Sequence, residues 1–145
     1  MHLAASIALA ISAVLSGSSL QAPNESIIIQ PFMAAQTVEE YVREYFVDIP
    51  VMAAIAKCES RFRQYDKNGS VLRGEVVHED VGVMQVNETY HKAVAGKLGL
   101  DLTVIQDNVA YARYLYEKQG TKPWNSSKAC WGKTQAAKDH FAAAN

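Results

Sequence analysis

None of the chain's 14 Lys and Arg or 15 Asp and Glu residues falls within residues 1–22, and this break in charge limits which part of the 145 residues is left to build a fold. Leu3 to Leu15 is an apolar run, followed by Ser16, Gly17, Ser18 and Ser19 and a candidate cleavage point after Ala22. A run of that length matches the core of an export signal and falls short of the roughly 20 residues that a spanning helix needs. No Lys or Arg precedes it, His2 standing there alone, so a buried apolar N-terminal helix or an uncleaved anchor is the alternative. The organisation expected is a signal peptide over 1–22, a linker over 23–35 carrying Pro23 and Pro31, and one domain over 36–145. The protein is therefore expected to be exported, with no stable membrane span.

Cysteine usage points the same way. Cys58 and Cys130 are the only two cysteines, and an even count in an exported chain reads as one disulfide, with two buried free thiols as the alternative. The bridge would close a loop worth about 4 kcal/mol in the chain-entropy picture. His2, His78, His91 and His140 are scattered, with no His-x-x-x-His or Cys-x-x-Cys spacing, so no metal site is expected. A formal charge of −1 lacks the basic excess that phosphate-backbone binding requires, and no nucleic-acid partner is expected.

Thr37 followed three residues later by Glu40 is a capping box, and Val38, Tyr41, Val42, Tyr45, Phe46 and Ile49 repeat at helical spacing, which predicts a helix over 38–48. Pro50 restarts the chain, and Val51, Ile55, Cys58 and Phe62 form the apolar stripe of a second helix over 50–62. Asn68-Gly69 signals a type I′ hairpin, pairing 64–67 with 70–73, with a third short strand over 75–77. Asn87 caps a helix over 88–98 stopped by Gly99, and another over 104–119 ends at Gly120. The Ala-rich tail, 133–144, is a last helix. The class expected is mainly α (α+β), with one small β-hairpin.

Glu59 is the most informative residue. On the second helix it shares a face with Ile55 and Phe62, and a carboxyl among apolar groups holds its proton to higher pH, as a general acid near neutrality must. A lone helical Glu is ordinarily solvated; what singles out this one is the neighbouring Cys58 and the β excursion that follows. Glu59-Ser60 at the end of an apolar helix, then Gly82-Val83-Met84-Gln85-Val86-Asn87, then Asn108 with Tyr111 and Tyr114-Leu115, resembles the lytic transglycosylase domain of the lysozyme-like superfamily over residues 41–131. Glu-Ser alone is common; the ordered set is specific.

The resemblance implies a lysozyme-like fold and cleavage of the β-1,4 bond between N-acetylmuramic acid and N-acetylglucosamine in peptidoglycan glycan strands, without a cofactor. It implies Glu59 as the proton donor, Gln85 and Asn87 as hydrogen-bonding groups for the sugar, Ser60 beside the acid, and Met84 packed beneath them. Trp124 is either a sugar-stacking platform or a cover for the disulfide. The family's Tyr-Asn pair is replaced by Trp124-Asn125, which leaves Tyr111 or Tyr114 as the aromatic partner of Glu59, or as plain core. The segment His78-Glu79-Asp80-Val81-Gly82 also departs from the family and brings two carboxylates. Transglycosylation needs one carboxyl; a hydrolytic lysozyme would use a second, with Asp80 ahead of Glu79. A catalytically silent wall-binding protein is the reading from another class. The near-zero charge suits local action, for instance at an envelope machine, over long-range electrostatic steering to an anionic wall.

Overall fold

The computed structural model describes residues 35–144, so the expected leader and nearly all of the expected linker lie outside the described residues. The described chain is mainly helical, with one two-stranded antiparallel hairpin. Its elements in order are α1 (Val38–Tyr45), α2 (Pro50–Ser60), β1 (Asp80–Val81), β2 (Val86–Asn87), α3 (Glu88–Lys97), α4 (Ile105–Gln119), a 3-10 segment (Lys122–Ser127), α5 (Lys128–Trp131) and α6 (Gln135–Ala143).

The centre of the fold is α2. Val51, Met52, Ala53, Ile55 and Ala56 are all buried, so apolar groups cover more than one face, and α1, α5, α6 and the 3-10 segment pack around it. A helix that is apolar on most sides has to be surrounded in this way. Cys58 bonds to Cys130 of α5, with Cα atoms 6.0 Å apart, and ties the end of α2 to the C-terminal third of the chain. No helix among the described residues is long and apolar enough to cross a membrane.

Local signals explain most of the boundaries. Thr37 and Glu40 form the capping box at the start of α1, Pro50 occupies the first turn of α2, and Asn87 caps α3 through the Tyr90 amide. Thr134 caps α6, which starts at Gln135, two residues later than the Ala-rich run suggests. Helix α1 stops at Tyr45, short of the expected 48. Arg113 of α4 takes the Tyr45 carbonyl at 2.7 Å and both oxygens of Asp48, so long-range contacts capture the carbonyl and the chain that another helical turn would use.

The second helix also ends early, at Ser60. Arg61 and Phe62 both adopt left-handed backbone (φ 57° and 59°), so Phe62 lies beyond the helix and not on its stripe. Its ring is nonetheless buried, with the Arg43 guanidinium 5.0 Å from its centre. Phe62 therefore leaves the face that it was expected to share with Glu59, on which Ile55 remains.

The β region differs most. Only Gly69 (φ 80°) is left-handed at the Asn68-Gly69 turn, so the type I′ geometry is not formed. The Asp66 carboxylate accepts from the Asn68 and Ser70 amides, and Asp66 exchanges backbone bonds with Gly69 and Ser70. That is a three-residue loop with a bulge at Gly69, held by the Asx side chain. It closes a single bridge, Tyr65 to Val71, and Arg73 bridges to Val81 further along the chain, in place of two full strands. No strand forms over 75–77, where the chain turns tightly back and Val76 is 96 % exposed. The named hairpin pairs Asp80 with Asn87 and Val81 with Val86 instead.

Candidate active site

Glu59 occupies the last turn of α2 and faces an open cleft. Two contiguous basins, of about 280 and 490 Å³, share Glu59, Asp80, Gln85 and Ser126 as a common wall. One basin runs past Asn87, Tyr90, His91 and Trp124; the other runs past Arg61, Arg63, Arg73 and Glu75. Glu59 thus stands at the waist of the cleft. Burial raises its pKa above the ordinary carboxyl value, the Ser127 hydrogen bond opposes the rise, and the negative charge of Asp80 adds to it.

Ser127 donates to Glu59 Oε1 at 2.6 Å. The sequence does not point to this partner; Tyr111 and Tyr114, which the resemblance offers as partner or core, do not line the cleft. Tyr111 is buried, with its hydroxyl 3.2 Å from His91 Nδ1 and its ring 5.5 Å from that of Tyr114. His91 itself lies on the cleft wall, and burial holds its imidazole below the usual value. Both tyrosines are core or near-core groups that back the wall.

The turn 82–85 carries Gln85 to the waist. Gln85 has positive φ (48°), and its side-chain amide donates to the Gly82 carbonyl at 2.8 Å, which holds it against the turn. Two buried amides clamp that turn from below. Gln64 accepts from the Val83 amide and donates to the Thr103 carbonyl. Asn108 accepts from the Met84 amide and donates to the Val81 and Leu102 carbonyls. Trp131 donates to the Trp124 carbonyl and Trp124 donates to the Met84 carbonyl, each at 2.9 Å, so the turn is also fastened to the far wall. Buried polar groups satisfied in this manner fix one conformation.

Gly82 fits this clamp for two reasons. Its φ is 72°, and a Cβ there would stand 2.5 Å from Asn108 Nδ2 and 2.7 Å from Gln64 Oε1. Gly82→Ala is expected to destabilise the protein by roughly 3 kcal/mol, because left-handed strain adds to the displacement of buried hydrogen-bonded groups. Urea denaturation of the wild type and the variant measures it; a change below about 1 kcal/mol would show that the clamp yields freely.

The remaining expected residues divide clearly. Asn87 lies on the cleft, but both ends of its amide are engaged, with Asp80 Oδ1 at 2.8 Å and the Tyr90 amide at 3.4 Å, so it orients Asp80. Ser60 closes the helix: its hydroxyl donates to the Ala56 carbonyl and accepts from the Arg63 amide. Met84 is fully buried beneath Gln85. Trp124 is 3 % exposed, so an edge of its ring contributes to the wall without offering an open stacking face. Of the two extra carboxylates, Asp80 faces the waist, whereas Glu79 is exposed and contributes to neither basin. Tyr90, 75 % exposed at the rim, is the open aromatic of the cleft. Among the described residues no cluster of His, Cys, Asp and Glu is placed to hold a metal.

Comparison with protein-family models, curated proteins and solved structures finds no match.

Proposed function

We propose that the protein cleaves the β-1,4 bond between N-acetylmuramic acid and N-acetylglucosamine in peptidoglycan, as a lytic transglycosylase. The observation that carries this reading is a half-buried carboxyl with a raised pKa at the waist of an open two-basin cleft. Two joined basins suit a run of sugars, with the scissile bond beside Glu59 at their shared wall. Glu59 in its acid form donates its proton to the glycosidic oxygen as the C1–O bond breaks, and positive charge develops on the muramoyl ring. The N-acetylglucosamine 4-oxygen departs with that proton, and the ionised Glu59 then accepts the proton of the muramoyl 6-hydroxyl as the 6-oxygen bonds to C1 of its own ring. The product is a 1,6-anhydro end, no water is consumed, and Glu59 returns to its starting state.

The motif set Glu59-Ser60, Gly82 to Asn87 and Asn108 supports the same reading. Its buried members, Met84 and Asn108, hold the turn that presents Gln85 to the cleft. Action on the wall requires an exported protein, in keeping with the uncharged leader and the Cys58–Cys130 bridge.

Hydrolysis is the second reading, because Asp80 faces the same waist and is oriented by Asn87. The two readings differ in products. Mass spectrometry of muropeptides released from sacculi is expected to find 1,6-anhydro ends, unchanged in proportion by Asp80→Asn. Reducing ends that disappear in Asp80→Asn would establish hydrolysis instead. Sacculi that bind the protein with no release of muropeptides would overturn both and leave a wall-binding protein.

A further inference from the structure

We propose that Ser127 is a positioning residue that serves both protonation states of Glu59 by turning its one hydroxyl hydrogen between the Glu59 carboxyl and the Trp124 carbonyl. The proposal rests on the reading of Glu59 as an acid that becomes a base, and its argument is geometric. Ser127 Oγ lies 2.6 Å from Glu59 Oε1 and 3.2 Å from the Trp124 carbonyl oxygen. A hydroxyl has one hydrogen and two lone pairs, so it cannot donate to both at once.

Each state of Glu59 has one complete arrangement. When Glu59 is ionised, the Ser127 hydrogen points at Oε1. When Glu59 carries its proton in the empty cleft, the acid O–H donates to Ser127 Oγ and the Ser127 hydrogen turns to the Trp124 carbonyl; when a glycosidic oxygen is bound, the acid O–H turns to that oxygen and the Ser127 hydrogen returns to Oε1. No atom is gained or lost by Ser127 in the exchange; the only proton transferred is that between Glu59 and the substrate. The Trp124 carbonyl is kept in place throughout, because Trp131 donates its indole N–H to the same oxygen at 2.9 Å and a carbonyl accepts two bonds. Because the partner can either donate or accept, the carboxyl need not swing when its charge changes, and a group that must act twice keeps its aim.

The other groups on the cleft do not duplicate this contact. Asp80 faces Glu59 as a like charge. Arg61, Arg63, Arg73 and Glu75 line one basin, and His91 and Tyr90 the other; none of them is hydrogen-bonded to Glu59.

The test is a carbon-13 NMR titration of the Glu59 carboxyl in the full-length protein, with the resonance assigned by its loss in Glu59→Gln. The bond that Ser127 donates to the carboxylate is charge-assisted and outweighs the bond it accepts from the acid, so Ser127→Ala is expected to raise the Glu59 midpoint by about one pH unit. Ser127→Thr, which keeps the hydroxyl, restores it. In muropeptide release, the limb of kcat/KM that falls as Glu59 loses its proton moves to higher pH by the same amount in Ser127→Ala. A residue that only packs would lower stability and leave the midpoint where it was. Should Ser127→Ala fail to fold, Ser127→Gly is read in the same way. An unmoved midpoint in the folded variant overturns the proposal. A midpoint that moves in a protein releasing no muropeptides upholds the Ser127 contact and removes the glycosidase reading.

Discussion

Glu59→Gln is expected to reduce muropeptide release from sacculi by at least about 10²- to 10⁴-fold, the range for loss of a positioned proton donor. Gln keeps the shape of the side chain and can still accept from Ser127, so the cleft persists while the transferable proton is lost. The variant should also be no less stable than the wild type. The sign of the pH dependence follows from the raised pKa of Glu59. Below the ordinary carboxyl range both the folded and the unfolded forms carry the proton, and no penalty exists. As pH rises through the folded-state value, the wild type must either keep a proton that the unfolded chain has released or bury a charge, and its stability falls relative to Glu59→Gln. Thermal melts at acid and neutral pH read this difference. Wild-type muralytic activity in Glu59→Gln would remove the carboxyl from the chemistry, whatever the melts show.

The second large effect concerns the bridge. Replacing Cys58 and Cys130 together by Ser opens a loop of 72 residues' separation, and the chain-entropy estimate puts the loss near 4 kcal/mol, or roughly 15–25 °C in Tm for a domain of this size. Activity should fall by more than the unfolded fraction explains. Glu59 follows Cys58 directly, and Ser127 lies one helical turn before Cys130, so the bridge holds together the two segments whose side chains meet at 2.6 Å. Melting curves with muropeptide release measured well below the melting point separate the two effects. Full specific activity in the folded double variant would show that Gln64, Asn108 and the two tryptophans hold the waist unaided.

What could be read in the sequence was what neighbours in the chain decide. Thr37 with Glu40, Pro50, Asn87 and Gly120 mark helix ends because each satisfies or breaks backbone bonds within a few residues. The Cys58–Cys130 pairing was legible because two cysteines allow one bridge. The early ends of α1 and α2 were not, since Arg113 reaches Tyr45 and Asp48 from more than 60 positions away and Phe62 leaves the helix to pack against Arg43. At Asn68-Gly69 the dipeptide signalled a turn correctly, but the carboxylate of Asp66 selected a different one.

The candidate site divides in the same manner. Glu59, Gln85 and Asp80 stood out by type and order, and all three face the cleft. Ser127 and Gln64 did not, being small or amide residues in irregular segments. Their roles arise only when Ser127 is brought to Glu59 and Gln64 to Val83 and Thr103. Tyr111 and Tyr114 show the converse, since aromatic spacing on a helix marks burial before it marks chemistry.

The paired left-handed residues Arg61 and Phe62 have an electrostatic consequence. By stopping α2 at Ser60 they leave Glu59 in its final turn, where carbonyl oxygens without helical partners point outward and the aligned peptide dipoles end in partial negative charge. An anion is disfavoured at that pole, so the backbone itself adds to the proton affinity of the side chain. Had the helix run on to Phe62, the same carboxyl would stand about half a turn further from the pole. The acid strength of Glu59 is thus tuned in part by where α2 ends, and a substitution at Phe62 that lengthens the helix would lower its proton affinity while leaving the groups that line the cleft unchanged.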